Sequence, residues 1–149
     1  MARPKPLDAA LLASSDDTEQ QFYEALQRGD IERLMSVWAD DDDISCVHPG
    51  GPRMLGAAAI RSTFESMFAN GPIDAHPEKV RRVITHSCAV HSVLERIRVQ
   101  TDQGPQFAWV IATNVYVKTM EGWRLVSHHT SPGTAHEMPD VNEPPSVLH

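Results

Sequence analysis

The sequence predicts an α+β domain in which helices come first and antiparallel strands follow. Three segments in the first half repeat their apolar residues with the period of an α-helix, and four later segments are rich in β-branched and aromatic residues. The length of 149 residues is typical of one domain with one hydrophobic core. We therefore expect residues 1–14 to be a flexible arm, residues 15–132 to be the domain, and residues 133–149 to be a proline-rich tail.

The three predicted helices each carry a start or stop signal. The first begins at Asp17 with a capping-box pattern and ends at Gly29. Asp30 can cap the second, whose apolar residues up to Trp38 recur on one side. The third follows Gly56, keeps the helical period and stops at an Asn-Gly-Pro turn. All three helices therefore present one apolar face toward a common core.

The strands are predicted from alternation and from turn sequences. A short strand, 44–48, precedes a Pro-Gly-Gly-Pro turn. Longer strands are expected at 80–86, 89–101, 107–118 and 123–131. Short turns that contain glycine separate the last three, so these strands form an antiparallel meander. Cys46 and Cys88 lie in or beside predicted strands and are expected to be reduced core residues rather than a disulfide.

The composition argues against several classes of partner. With 13 Lys and Arg against 20 Asp and Glu, the net charge of -7 opposes phosphate backbones and anionic membrane surfaces. The longest apolar stretches are the length of strands, and the N-terminal apolar run is too short for a signal peptide. No CxxC, HxH or HExxH spacing occurs, so no metal and no cofactor are expected. We expect a cytoplasmic protein that contacts neither nucleic acid nor membrane.

Three ionisable side chains are candidates for acid–base catalysis. Glu95 interrupts an apolar row, where burial would raise its pKa and make it a base; a structural ion pair or an exposed position is the alternative. His129 shares a face with Trp123 and Leu125 and is predicted to point inward, either as a catalytic group or as a buried histidine that bonds its neighbours. His48 ends a strand before a rigid turn, where it either borders a cavity or packs against that turn.

Asn114 and four aromatic residues are candidates for binding a ligand. Asn114 lies on an apolar strand face, where its amide needs hydrogen bonds from a ligand or from neighbours. The aromatic candidates are Trp38, Trp109, Phe64 and Phe68. Aromatic residues at these spacings also build ordinary cores, so they form either the wall of a pocket or plain packing.

Several short phrases of the sequence resemble a known family. Ala-Thr-Asn-Val at 112–115, Gly-Trp-Arg-Leu at 122–125 and His-His-Thr-Ser at 128–131 are similar to SnoaL-like members of the nuclear transport factor 2-like superfamily, whose fold is cystatin-like. Val-His-Pro-Gly-Gly at 47–51 adds to the resemblance, which covers residues 15–132. It implies a curved antiparallel sheet wrapped by three N-terminal helices around a cone-shaped pocket, and a homodimer formed through the sheet. It identifies a fold and not an activity.

Two functions are compatible with these residues. The first is a small-molecule pocket protein, a lyase, isomerase or cyclase, in which Glu95 or His129 removes a proton beside a carbonyl or hydroxyl group held by Asn114 or His48. It predicts an apolar cavity in which at least two of these groups face one another. The alternative is a non-catalytic ligand-binding or assembly domain, whose sheet builds a homodimer and whose cavity is filled by aromatic side chains. The sequence leaves open whether the protein is an enzyme.

Overall fold

The computed structural model describes residues 9–136, and the predictions for residues 1–8 and 137–149 lie outside them. Its helices are α1 (Ser15–Arg28), α2 (Ile31–Ser36) and α3 (Gly56–Phe68). Its strands are β1 (Ser45–Val47), β2 (Arg53–Leu55), β3 (Asp74–Ile84), β4 (Cys88–Thr101), β5 (Gly104–Thr119) and β6 (Gly122–Pro132). The predicted α+β class, with helices wrapped on one curved, unclosed sheet, is confirmed. None of these helices is long and apolar enough to cross a bilayer.

The six strands form one sheet in the order β2-β1-β6-β5-β4-β3. Strands β3 to β6 follow one another as the predicted meander, with antiparallel neighbours. β1 joins β6 in parallel and pairs on its other side with β2, a short strand that the sequence pattern did not predict. The long strands β4 and β5 therefore lie in the middle of the sheet.

The starts and ends of the first two helices follow from local chemistry. The Ser14 hydroxyl caps α1 by accepting a hydrogen bond from the Asp17 N–H at 3.0 Å, so α1 begins two residues earlier than predicted. Gly29 ends α1 in the left-handed conformation, with a φ of 64°. Asp30 then caps α2, as predicted, by accepting from the Arg33 N–H at 3.1 Å. A stop signal and a start signal in succession thus separate α1 from α2.

The core lies between the helices and one face of the sheet, which we call the inner face. Large buried side chains come from helices and strands alike: Phe22, Tyr23, Ile60, Phe64, Val93 and Leu125. The register of β4 and β5 is regular, and it pairs Glu95 with Val110 on this face. Both residues are buried, so Glu95 points into the core, where the apolar row predicted it.

The opposite, outer face carries partly exposed apolar side chains. Phe107, Trp109 and Ile111 alternate along β5 with the buried Val110 and therefore lie on the outer face. Phe107 is 52% exposed and Ile111 is 43% exposed. Trp109 was predicted as part of a pocket wall with Asn114, and this placement is wrong, because the two residues are five positions apart on a regular strand and therefore lie on opposite faces.

A β-bulge in β6 reverses which of its residues face inward. The register advances by two residues on β6 for one on β5, so Val126 is the extra residue. Strict alternation from Leu125 would place His129 on the inner face. Beyond the bulge the phase has shifted by one residue, and His128 is buried while His129 is exposed. The prediction that His129 points inward is wrong for this reason.

Part of the predicted N-terminal arm packs against the domain. Ala9–Leu12 form a 3-10 turn, and Leu12 is fully buried. This turn lies on Gly122 at the start of β6, where an added Cβ would come within 2.9 Å of the Leu12 carbonyl oxygen. Gly122 also has a φ of 99°, so both the conformation and the close approach require glycine. The chain is therefore ordered against β6 before α1 begins.

Candidate functional site

Four buried side chains from α1 and three strands form one hydrogen-bonded series, which we call the inner network: Glu95, Tyr23, Asn114 and His128. The Tyr23 hydroxyl lies 2.7 Å from Glu95 Oε2, and Asn114 Nδ2 lies 3.0 Å from the Tyr23 hydroxyl. Asn114 Oδ1 lies 2.5 Å from His128 Nδ1. None of the four residues is more than 4% exposed. A carboxyl group, a phenol, an amide and an imidazole are thus joined inside the core.

The strand register explains why these groups meet. His91 on β4 pairs with Asn114 on β5, Asn114 pairs with His128 on β6, and His128 pairs with Cys46 on β1. These four residues therefore form one row across the inner face. Helix α1 faces this row with residues at a four-residue spacing, which places them on one side of the helix. The residues of α1 that bond to the sheet in this way are Ser15, Glu19 and Tyr23.

One donor order satisfies the inner network when Glu95 is ionised. A carboxylate only accepts, so the Tyr23 hydroxyl donates to Glu95, and the hydroxyl oxygen accepts from the Asn114 amide NH₂. The Asn114 carbonyl oxygen then accepts from His128, which therefore carries its proton on Nδ1. This order leaves Nε2 of His128 as a lone-pair acceptor. Within residues 9–136, Nε2 has no hydrogen-bond partner.

Burial shifts the pKa values at both ends of the inner network toward the neutral forms. Desolvation raises the pKa of Glu95 to about 7, although the hydrogen bond from Tyr23 acts in the opposite direction. Desolvation also lowers the pKa of His128 to about 3, and the nearby His48 adds to this effect. Near neutral pH the network therefore contains a carboxyl group that titrates and an imidazole that stays uncharged.

Aromatic rings and a second histidine surround His128. The ring centroid of Phe22 lies 5.0 Å from that of His128, and the centroid of His48 lies 6.2 Å away. His48 also contacts Phe64, with 5.0 Å between the ring centroids. Burial lowers the pKa of His48, which favours its neutral form. His128 thus lies in an apolar environment to which His48 adds a second neutral imidazole.

Both cysteines are free thiols, as predicted. Cys46 Sγ lies 3.6 Å from His48 Nε2, next to the inner network. Burial raises the pKa of the Cys46 thiol to about 12, so it stays protonated and is a poor nucleophile. Cys46 is therefore a packing residue of this site.

A second buried network, the helix-start network, consists of Ser15, Glu19 and His91. His91 Nδ1 lies 2.6 Å from Glu19 Oε2, and His91 Nε2 lies 3.0 Å from Ser15 Oγ. Arg82 on β3 lies 2.6 Å from Asp16 and 4.0 Å from Glu19. Both ring nitrogens of His91 are therefore occupied, and the network attaches the start of α1 to β4.

Asp16, Glu19 and His91 are the group whose donor atoms lie close enough together, within 4.8 Å, to be considered as metal ligands in the described part of the chain. Glu19 approaches Nδ1 of the ring, whereas Asp16 approaches Nε2 at 3.9 Å. A single ion binds one nitrogen of an imidazole, so these two carboxylates cannot share one ion with His91 as they are arranged. Arg82 already pairs with both carboxylates. The arrangement is that of an ion-pair network.

The structure brings together four of the residues that the sequence singled out. Glu95 and Asn114 belong to the inner network, His48 lies beside His128, and Phe64 contacts His48. Phe68 is half-buried, and its ring centroid lies 6.2 Å from that of Phe64. Trp38 is buried in the core. His129 and Trp109 both lie on the outer face. Within residues 9–136, Nε1 of Trp38 has no hydrogen-bond partner.

Two members of the inner network, Tyr23 and His128, were missed from the sequence. Tyr23 lies four residues after Glu19 and therefore on the same side of α1. A buried tyrosine hydroxyl usually needs a partner, and that requirement was the available signal. For His128 the signal was the His-His doublet itself, because one of two adjacent strand residues faces inward in either phase.

Two grooves in the described part of the molecule lie away from His128. One, of about 290 Å³, lies between α1 and β3, with Glu19, Tyr23 and Arg82 in its lining. The other, of about 320 Å³, lies on the outer face beside Phe107. Neither is lined by His128.

The domain is a curved sheet wrapped by helices, with a row of polar side chains on the inner face of the sheet. Comparison with known proteins assigns this domain to a family. The profile of the SnoaL-like domain matches residues 16–135, and the chain belongs to this family. The resemblance stated from the sequence is thereby confirmed. No functionally curated protein matches the chain.

Solved structures agree with this assignment. A candidate calcium/calmodulin-dependent protein kinase type II association domain from Thiobacillus denitrificans is 31% identical, covers 83% of this chain and 98% of its own, and has a TM-score of 0.75. A candidate dehydratase of the NTF2-like family from Streptomyces avermitilis is 32% identical, covers 81% of this chain and 95% of its own, and has a TM-score of 0.72. An uncharacterised cystatin-like protein from Caulobacter vibrioides, 16% identical over 81% of this chain and 88% of its own with a TM-score of 0.69, shows the fold alone.

Proposed function

We propose that the protein binds a small, uncharged and largely apolar carbonyl or hydroxyl compound beside His128 and catalyses a proton transfer on it. The observation that supports this proposal is Nε2 of His128, an acceptor inside the domain that has no hydrogen-bond partner within residues 9–136. The fully buried side-chain atoms without a partner in this range are Trp38 Nε1, Arg96 Nε and the Tyr116 hydroxyl oxygen, so Nε2 of His128 keeps some access for a ligand. A hydroxyl group, or an acidic C–H group beside a carbonyl, is a suitable partner for such an atom.

The charges around the site favour an uncharged ligand. Glu95 supplies negative charge, whereas burial keeps His128 and His48 neutral. Among the described residues, no ion pair includes a member of the inner network, so an anion would meet Glu95 without a compensating cation. Phe22 and Phe64 would provide apolar contacts for the rest of the ligand.

In the proposed reaction Nε2 of His128 takes a proton from the ligand and later returns it to another atom. The resulting imidazolium keeps its Nδ1 hydrogen bond to Asn114, and because burial lowers the pKa of His128 to about 3, it returns the proton readily. Return of the proton to a different carbon gives an isomerisation, and its transfer to a departing hydroxyl gives a dehydration. His48 lies close enough to hold a second polar group of the ligand.

We place access to the site on the His48 side. His48 and Phe68 are half-buried and both contact the buried Phe64, and His48 also lies next to His128. Rotation of these rings would open a path to Nε2 of His128 without breaking the hydrogen bonds of the sheet. This path would leave the grooves on α1 and on the outer face uninvolved.

NMR titration of ¹⁵N-labelled protein with small ketones, enones and secondary alcohols tests this function. We expect a ligand to shift the ring signals of His128 and to lose about tenfold in affinity in the His128→Gln variant, the effect of one hydrogen bond. Exchange of the ligand's acidic C–H in D₂O then reports proton transfer. The matched control is His129→Gln, the exposed neighbour, which should change neither result. Equal binding and exchange in the two variants would contradict the proposal.

A second candidate function, a homo-oligomeric assembly domain, is favoured by the outer face. Phe107 and Ile111 are exposed there, and Trp109 lies half-buried between them. The Thiobacillus denitrificans relative is described as an association domain, which also points to self-association. Such a face would bury these side chains in a homodimer formed sheet to sheet.

Light scattering coupled to size exclusion tests the assembly. We expect a dimer that dissociates when Ile111 is changed to Lys, because a charge would then be buried in the interface. Met120→Lys is the matched control, since Met120 is a fully exposed apolar residue in the turn before β6. A monomeric wild-type protein, or an Ile111→Lys variant that remains dimeric, would rule out this face as the interface.

A further inference from the structure

We infer that Glu95, acting through Tyr23 and Asn114, decides whether His128 presents a hydrogen-bond acceptor or a donor at Nε2. The inference concerns the side chains that position His128 and not those that touch a ligand, and its importance for catalysis rests on the function proposed above. It follows from the three contacts of the inner network and from the donor and acceptor capacity of each group.

With Glu95 ionised, every donor in the network points toward it. Tyr23 donates to Glu95, Asn114 donates to Tyr23, and His128 donates from Nδ1 to Asn114. Nε2 of His128 is then unprotonated and accepts. The order has no alternative, because a carboxylate has no proton to give and a tyrosine hydroxyl has only one.

With Glu95 protonated, the opposite order becomes available. The carboxylic acid donates to the Tyr23 oxygen, and the Tyr23 hydroxyl donates to Asn114 Oδ1 after the amide turns by half a rotation. The Asn114 NH₂ group then faces His128 and donates to Nδ1. A neutral imidazole that accepts at Nδ1 carries its proton at Nε2, so the same ring now presents a donor.

Asn114 couples the protonation of Glu95 to the tautomer of His128 by rotating its amide group. An amide cannot pass a proton from one side to the other, so no proton travels from Glu95 to His128 along the network. The rotation of the amide transmits only the direction of the hydrogen bonds, and the imidazole proton moves between its own two nitrogens through the ligand or through water. Asn114 is therefore a positioning residue for His128, and Glu95 is the group that sets its orientation.

Within the inner network, Glu95 is the member that changes charge near neutral pH. Burial raises the pKa values of Tyr23 and Tyr116 and keeps the Cys46 thiol protonated. Glu19, which faces Glu95 from α1, is bonded to His91. On the side of His128, the nearby titratable groups are His48, directly after β1, and His129 on the outer face, and burial keeps His128 itself uncharged. A change of pH through the pKa of Glu95, about 7, would thus alter the tautomer of His128 and not its charge.

The test is an NMR measurement of the His128 ring in protein labelled with ¹⁵N-histidine, without any ligand. Long-range proton–nitrogen correlations distinguish the two tautomers, and infrared absorption of the protonated carboxyl group follows Glu95. We expect the Nδ1–H tautomer well above pH 7, the Nε2–H tautomer well below it, and one midpoint shared by His128 and Glu95.

Three variants separate this mechanism from a general effect of pH. In Glu95→Gln the tautomer ratio should no longer depend on pH. In Asn114→Asp the new carboxylate can only accept, so the Nδ1–H tautomer should persist throughout. In Asn114→Leu, which has a similar size and no polar group, a mixture of tautomers should appear. Glu65→Gln, on the exposed side of α3, is the matched control and should leave the wild-type transition unchanged.

A His128 tautomer that stays constant while Glu95 titrates, or one that still follows pH in Glu95→Gln, would overturn the inference. The wild-type measurement decides this by itself if a variant fails to fold. The proposed function fails separately, because a ligand can bind weakly or not at all while the unliganded ring still changes its tautomer. Conversely, proton transfer at His128 can occur with a tautomer that never changes.

Discussion

His91 and His128 are two buried histidines in the same row of one sheet, yet the structure uses them differently. Both nitrogens of His91 are engaged by side chains of α1, at 2.6 Å and 3.0 Å. His128 is engaged at Nδ1 alone, by Asn114. A histidine with two partners fastens one element to another, whereas a histidine with one partner keeps a nitrogen for proton transfer. The number of hydrogen-bond partners, and not the depth of burial, therefore separates the histidine that fastens two elements from the one for which we propose proton transfer.

Replacing each histidine is the most direct way to break this comparison. His91→Leu would leave the buried Glu19 carboxylate without its main partner, and we expect the free energy of unfolding to fall by about 3 to 5 kcal/mol. His128→Leu would leave a single amide oxygen unpaired and should cost about 1 to 3 kcal/mol. Urea unfolding of the two variants measures both losses. Equal losses would show that the two histidines contribute equally to the free energy of unfolding.

The pH dependence of the free energy of unfolding tests Glu95, which lies at the opposite end of the inner network from His128. The pKa of Glu95 is raised from 4.5 to about 7 in the folded protein, so between these values the folded state binds more protons than the unfolded state. Stability is therefore lost as the pH rises through this window, by up to about 3 kcal/mol. Glu95→Gln should lack this loss, so its stability relative to wild type should increase from pH 4.5 to pH 7.

His128 contributes to the pH dependence with the opposite sign. Its pKa is lowered from 6.5 to about 3, so its contribution to stability is complete above pH 6.5 and is lost as the pH falls below that value. The two effects oppose each other between pH 4.5 and pH 6.5 in the wild-type protein. Removing Glu95 should expose the contribution of His128 as a steeper loss of stability in acid. Parallel stability curves for wild type and Glu95→Gln, measured by urea unfolding at several pH values, would contradict the raised pKa of Glu95.

A smaller effect is expected from the tyrosine that links the network. Tyr23→Phe removes the donor to Glu95 and the acceptor for Asn114, which should cost about 1 to 2 kcal/mol and raise the pKa of Glu95 further. Urea unfolding and infrared titration of the carboxyl group measure the two changes. Tyr116→Phe is the matched control, because the buried Tyr116 hydroxyl has no hydrogen-bond partner within residues 9–136. Similar costs for the two variants would remove the distinction between a bonded and an unbonded hydroxyl.

The smallest effect tests the bulge in β6. His129→Gln should change the free energy of unfolding by no more than about 0.5 kcal/mol, as is usual for an exposed position. Diethyl pyrocarbonate should modify His129 in the folded protein and leave His128 unmodified until the protein unfolds. Fast modification of His128 would show that β6 lacks the bulge at Val126.

The residues that were placed correctly from the sequence are those on regular elements. Glu95 and Asn114 were expected on inward rows of β4 and β5, and these two strands pair without interruption. His128 was missed because one extra residue, Val126, changes the phase of β6, and no glycine or proline marks that position. Tyr23 was missed because its partner, Glu95, is 72 residues away in the sequence.

The sequence by itself determined the α+β class, the order of helices and strands, and the chemical groups available for a site. Local signals carry this information, because caps, turns and the periods of apolar residues depend on neighbours a few positions apart. Only the tertiary structure decided which groups meet, since the register of four strands and the position of α1 join Glu95, Tyr23, Asn114 and His128. Hydrogen bonds between distant residues depend on distances within a few tenths of an ångström, which no local pattern encodes.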